Sequence, residues 1–136
     1  MKAAFINTDK ELYLDDIPVP VPESDEVLIK LKYTGICGSD LHYYREGRVG
    51  DNIIRVPHIL GHESSGEIVE IGKNINNFNI GDNVTFEPGI PCLECDFCRS
   101  GKYNLCYKMQ FLGAPPYYGT FREFITHKAL FTYKLP

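Results

Sequence analysis

The chain has 136 residues, 43% of them hydrophobic and 24% charged, which is enough for one domain with a real core and too little for two comfortable ones. A formal net charge of −4 argues against nucleic acid and anionic membrane as partners, and no apolar run is long enough to cross a bilayer. The opening MKAAFINTDKELYL lacks the apolar segment of a signal peptide, and five cysteines make an odd count for a disulfide scaffold, so the expectation is a cytoplasmic chain with reduced thiols.

In chain order, KAAFIN and ELYLDDIPVPVP read as a strand pair, the second stopped by its prolines. DEVLIKLKYTGI alternates Val27, Ile29 and Leu31 against Leu28, Lys30 and Lys32, the period of two that predicts a strand with one buried face. SDLHYYREG predicts a short helix with Ser39 or Asp40 as N-cap and Gly47 at its end. SSGEIVEIG and DNVTFEP predict two further strands, and GTFREFITHK and ALFTYKLP close with strand patterning. Short strands at close spacing point to a mainly β domain, a barrel being the natural closure. No G-x-G-x-x-G follows a strand and opens a helix, so any nucleotide cofactor is expected to bind outside these residues.

Cys92, Cys95, Cys98 and Cys106 fall in PCLECDFCRSGKYNLC. Such spacing lets one irregular loop wrap four sulfurs round a tetrahedral zinc at about 2.3 Å, a saturated site that supplies folding energy but no open position for chemistry. Disulfides, free thiols or an iron–sulfur cluster are the other readings of the same residues, the cluster disfavoured by a spacing unlike the common ferredoxin runs. A second set lies in GICGSDLH and PHILGHESSGEIVEIG. Cys37 follows a strand, and Gly61 allows a backbone turn that would bring adjacent His62 and Glu63 to one ion. Together they would offer zinc a sulfur, a nitrogen and an oxygen with one position left for water or substrate. Asp40 is spaced to accept the other ring N–H of a ligating histidine. The alternative reading of the same residues is a small buried cysteine and a surface His-Glu pair.

The run GHESSGEIVEIGKNI, the CGSD after a strand, and the cysteine loop, in that order, resemble the medium-chain zinc-dependent alcohol and polyol dehydrogenases, over essentially the whole chain. CGSDLHYYREGRVG and MQFLGAPPYYGTF look closest to the sorbitol and xylitol branch, although Phe111-Leu112-Gly113-Ala114-Pro115-Pro116 departs from that branch's usual Phe-x-Ala-Thr-Pro-Pro. The resemblance implies an N-terminal catalytic domain, residues 1–136, with a GroES-like β-barrel fold, short helices and a zinc-binding loop. It implies catalytic zinc on Cys37, His62 and, as in the polyol branch, Glu63, where other branches use a later cysteine or aspartate. It implies structural zinc on the quartet, Ser39 and His42 as the proton relay, and Tyr43 and Phe111 in the substrate cleft. Read without the resemblance, those two aromatics are equally core or surface residues. His58 and His127 match no catalytic position and are taken as ordinary histidines. The activity implied is NAD(P)-linked oxidation of a polyol or other secondary alcohol to a ketone. The relatives continue beyond YKLP into a nucleotide-binding domain, so these residues alone are expected to be silent. The rival expectation is a stand-alone zinc-stabilised β-barrel that binds or self-assembles through an exposed apolar face.

Overall fold

The computed structural model describes residues 1–136. β1 (Lys2–Ile6) and β2 (Leu12–Asp16) form the expected hairpin, with Lys2 opposite Asp16 and Ile6 opposite Leu12. β1 buries Ala3, Phe5 and Ile6, while every residue of β2 is exposed, so the hairpin lies on the body by one strand only.

β3 (Glu26–Thr34) is the expected long strand, but Leu28 is buried along with Val27 and Ile29. The reason is tertiary. β3 lies inside the sheet, and the register slips between Leu28 and Ile29, which breaks the strict alternation. The helix α1 (Gly38–Glu46) follows, and its N-cap is Cys37 rather than Ser39 or Asp40. Asp40 instead occupies the third helical position, where its carboxylate reaches back to the Cys37 N–H. Gly47 ends the helix in a left-handed conformation, φ 72°, as expected. A ribbon of β4 (Arg48–Val49) and β5 (Asn52–Ile53) comes next.

β6 (Ser64–Ile71) and β7 (Asn83–Phe86) match the two expected strands. β8 (Gly89–Ile90) leads into the cysteine loop, which holds the one-turn α2 (Asp96–Arg99) and a 3₁₀ turn at Tyr103–Leu105. β9 (Gln110–Phe111) returns to pair with β8, clamping both ends of that loop. Of GTFREFITHK only β10 (Phe124–Lys128) is strand, and ALFTYKLP splits into a 3₁₀ turn at Ala129–Phe131 and β11 (Thr132–Lys134).

The main sheet runs β10-β3-β6-β7-β11, antiparallel throughout. Its two edge strands are joined by the three residues Ala129–Phe131 alone, so the sheet has to curl until its edges meet. That is the expected mainly β, barrel-like architecture. Val27, Ile29, Ile68, Phe78, Val84, Phe86 and Ile125 fill the interior. A smaller cluster of Ile6, Tyr43, Ile54 and Leu60 seats α1 and the loop before β6 against β1. No helix is long and apolar enough to cross a membrane.

Candidate functional site

α1 and the loop before β6 converge at one end of the barrel. Cys37, His62 and Glu63 each offer a ligand atom there, all within 4.8 Å of one another. For neighbours on one strand to share a focus the chain has to turn, and Gly61 does so at φ 92°. A Cβ at this position would also fall 2.6 Å from the Phe121 ring, so the turn and the packing both demand glycine.

Asp40 ties the two ligand-bearing segments together. It is 5% exposed, and its two carboxylate oxygens accept the backbone N–H of Cys37 at 2.9 Å and of Gly61 at 3.2 Å. The His62 Nδ1 lies 3.9 Å from Asp40 Oδ1, beyond hydrogen-bond length. The expected Asp40–histidine contact is therefore a near approach, and the carboxylate's direct work is on the backbone at either side of the site. Behind it Ser64 Oγ lies 2.7 Å from Thr120 Oγ1 and 2.9 Å from Thr34 Oγ1, a hydroxyl cluster that joins β6 to β3 and to the loop before β10. Nothing in the sequence singled out this cluster, because its members meet across 30 and 56 positions.

His62 stands where two clefts meet. The narrower, about 260 Å³, is walled by Ser39, Tyr43, Asn52, His62, Phe111 and Leu112 among others. Ser39, Tyr43 and Phe111, all expected at the site, are therefore brought to one cavity with His62. Tyr43 is both core and cleft: it is 4% exposed, and burial, with the Asp40 charge behind it, pushes its phenol pKa up, so it stays a donor at neutral pH. Phe111 sets its ring 5.5 Å from that of His62 at 57°. Asn52 was not foreseen, since in GDNII it reads as an ordinary turn residue. His42 lies outside the cleft lining, on the exposed side of α1, with Nδ1 3.5 Å from Glu46 Oε1. The wider cleft, about 620 Å³ and open, is walled by Tyr33, Glu63, Ser65, Thr85 and Leu135 on the other side of His62. Tyr33 and Leu135 stand exposed on its wall, an apolar rim.

Away from this end, the quartet is assembled as spacing predicted. Sulfur–sulfur distances are 3.4 Å for Cys92–Cys106, 3.5 Å for Cys95–Cys98 and 3.9 Å for Cys92–Cys98, and all five cysteines are free thiols. A tetrahedral zinc with bonds of about 2.3 Å needs edges of about 3.8 Å, so these sulfurs fit it with little movement. The N–H groups of Cys92 and Lys108 point at Cys106 Sγ, both at 3.3 Å, and hold that thiol's pKa down. A backbone N–H from Cys98 holds Cys95 down at about 6, while burial and the neighbouring sulfurs push Cys98 up to about 12. Four thiols this close cannot all ionise together at low cost without a cation between them. Cys37, His62 and Glu63 fit a metal differently, as three donors of mixed type, of which His62 lines both clefts and Glu63 the wider one.

His58 and His127 take no part in either set. They are 2% and 1% exposed, and burial lowers both pKa values, that of His127 to about 4.

Residues 23–136 match the alcohol dehydrogenase GroES-like domain family. Sorbitol dehydrogenase of Bacillus subtilis (strain 168) is 46% identical over 136 residues, 100% of this chain and 38% of that protein. The structure of galactitol-1-phosphate dehydrogenase from Escherichia coli superposes with a TM-score of 0.88 at 33% identity, covering 100% of this chain and 38% of that one. A NAD-dependent alcohol dehydrogenase superposes with a TM-score of 0.85 at 30% identity, covering 98% and 39% of the two chains. The chain thus spans under two-fifths of the length of these relatives. With the signature residues, the barrel and the cysteine loop all in place, it belongs to the alcohol dehydrogenase GroES-like domain family.

Proposed function

We propose that residues 1–136 form the catalytic domain of a zinc-dependent dehydrogenase that oxidises a secondary alcohol of a polyol to the ketone with NAD(P), and that the nucleotide-binding unit lies outside these residues. The observation that carries this reading is the meeting of two clefts at His62, whose ligand atom lies within 4.8 Å of those of Cys37 and Glu63. One cleft admits the alcohol and the other leaves a face open for the hydride acceptor. The sorbitol and galactitol-1-phosphate enzymes among the relatives support a polyol as the substrate class.

Zinc held by Cys37, His62 and Glu63 supplies Lewis acidity that eases ionisation of the substrate hydroxyl, and the nicotinamide supplies the hydride acceptor. The residues of the chain do the rest. Ser39, in the narrow cleft beside His62, accepts the hydroxyl proton, and His42, three residues on along α1 and exposed, takes it to water. The Tyr43 phenol donates to a neighbouring hydroxyl of the polyol, and the Phe111 ring packs on its carbon chain. Cys92, Cys95, Cys98 and Cys106 hold a second, structural zinc. Both sites need reduced thiols, which favours the cytoplasm. The apolar rim of Tyr33 and Leu135 packs against the nucleotide-binding unit, or against a second copy where that unit is missing.

The test is zinc per chain and turnover together. Protein purified without added metal is expected to hold two zinc ions per chain, falling to one in Cys37→Ala. The 136 residues alone are expected to oxidise no polyol with NAD(P), and a protein that carries them with a nucleotide-binding unit is expected to do so. One zinc in both proteins would leave a barrel with a structural ion only and refute the reading.

A further inference from the structure

Gly35 sits in the turn between β3 and α1, and its N–H donates to the Glu63 carbonyl at 2.7 Å. A methyl group at Gly35 would stand 2.7 Å from Glu63 Oε2 and 3.3 Å from Glu63 Cβ. The first distance is closer than a carbon and a carboxylate oxygen ever settle, and the atom it meets is the end of a flexible side chain. Gly35 does not use the left-handed backbone that Gly61 uses, so alanine can take its φ and ψ without strain. What the site takes from Gly35 is empty space, and that space is filled by the one donor of the three that is exposed to solvent.

We infer that Gly35 is a positioning residue for the metal site: by having no side chain it lets the Glu63 carboxylate fold back within reach of the Cys37 sulfur and the His62 ring. An exposed glutamate has the whole solvent hemisphere to explore, and holding it over the site costs side-chain entropy. The backbone bond from Gly35 to the Glu63 carbonyl anchors the root of the side chain, and the missing Cβ leaves its carboxylate a seat. Put a methyl there and the carboxylate swings out to water, leaving two donors where there were three. The inference deepens the reading above, because it rests on Glu63 being a metal donor.

The experiment is a double-mutant cycle on the full chain: wild type, Gly35→Ala, Glu63→Ala and the double variant, with Gly38→Ala beside them. A Cβ at Gly38 meets nothing within 4 Å, so it reports the effect of an extra methyl in the same segment. Co²⁺ affinity is read by competition with a chelating dye, and the d–d spectrum of the bound ion reports its donor set independently of any activity. The quartet's cobalt, with its four-sulfur spectrum, serves as the internal check that each variant has folded. Gly35→Ala is expected to weaken the second cobalt roughly tenfold to a hundredfold, the range typical for groups that orient a ligand, and to shift its spectrum toward that of Glu63→Ala. In the Glu63→Ala background the alanine at 35 is expected to change nothing further, and Gly38→Ala is expected to bind as wild type. Wild-type binding by Gly35→Ala, with Glu63→Ala weakened, overturns the inference and leaves Glu63 as a donor. Equal losses in both backgrounds, or in Gly38→Ala, make the effect one of folding and overturn it too. Wild-type binding by Glu63→Ala overturns the inference together with the donor role on which it rests.

Discussion

Asp40 shows how much one buried carboxylate does at this site. Both its oxygens are spent on backbone N–H groups, one at the cysteine ligand and one at the glycine before the histidine, so α1 and the β6 loop cannot drift apart without breaking a charge-assisted bond. Asp40→Ala leaves two N–H donors without partners inside the protein, at a cost of about 1–3 kcal/mol each. We expect that variant to fold less stably and to bind the metal at Cys37, His62 and Glu63 about 10–100-fold more weakly, by chelator competition. An unchanged metal affinity would mean the two segments are held by packing alone. Ser39 makes a sharper case for chemistry. In the enzyme carrying these residues, Ser39→Ala is expected to lower kcat about 10²-fold or more with KM little changed, since in the proposed relay the hydroxyl moves a proton rather than holding the substrate. A rise in KM with kcat intact would reassign Ser39 to binding.

At the scale of elements, the cysteine loop and the barrel stand on different forces. Neither α2 nor the 3₁₀ turn at Tyr103–Leu105 buries a single residue, and within the loop between Cys92 and Cys106 only Cys106 is buried. The loop has no buried apolar core of its own, so on the proposed reading its order comes from an ion at the four sulfurs. Removing zinc with a chelator is therefore expected to raise proteolysis and amide exchange between Cys92 and Cys106 while β3 and β6 stay protected. Uniform loss of protection would show that the loop and barrel melt as one. The loop also matters to the site at a distance. β8 and β9 clamp its ends, and β9 carries Phe111 against His62, so disorder in the loop should loosen one wall of the narrow cleft. The barrel depends on packing instead. Ile68, wholly buried in the middle of β6, is expected to cost about 2–5 kcal/mol on change to alanine, read by urea denaturation.

For the whole molecule, acid is the telling variable. His127 is buried beside Phe86 with Nε2 unpartnered, and burial lowers its pKa from 6.5 to about 4. The unfolded chain takes up a proton near the ordinary value while the folded one refuses it until about 4. Stability is thus complete above about 6.5, falls as pH drops from there to about 4, and levels below, since in that window the unfolded state binds more protons. The loss reaches on the order of 3 kcal/mol at most. Tm measured between pH 7 and 4.5 should fall less steeply in His127→Phe than in wild type. Parallel curves would place the acid sensitivity elsewhere, the protonation of zinc ligands being the other source.

What the residues by themselves determined here is what depends on short range. Four thiols within one loop, a glycine able to turn before His-Glu, strand patterning in β3 and β6, and prolines that stop β2 are all local facts, and they were legible. So was the family, because its signature is written in residue types at fixed local spacing. The tertiary structure alone decided the rest. It buried Leu28 through strand pairing on both sides of β3, and it moved the N-cap to Cys37 by giving Asp40 two backbone amides to hold. It also joined Ser64, Thr120 and Thr34, put Asn52 in the cleft wall, and set Gly35 under the Glu63 carboxylate. Apart from the Asp40 bond to the Cys37 N–H, three residues away, each of these is a contact between residues far apart in the chain, and no periodicity or spacing encodes it. Strand pairing and the packing of loops against the sheet place those residues within reach of each other.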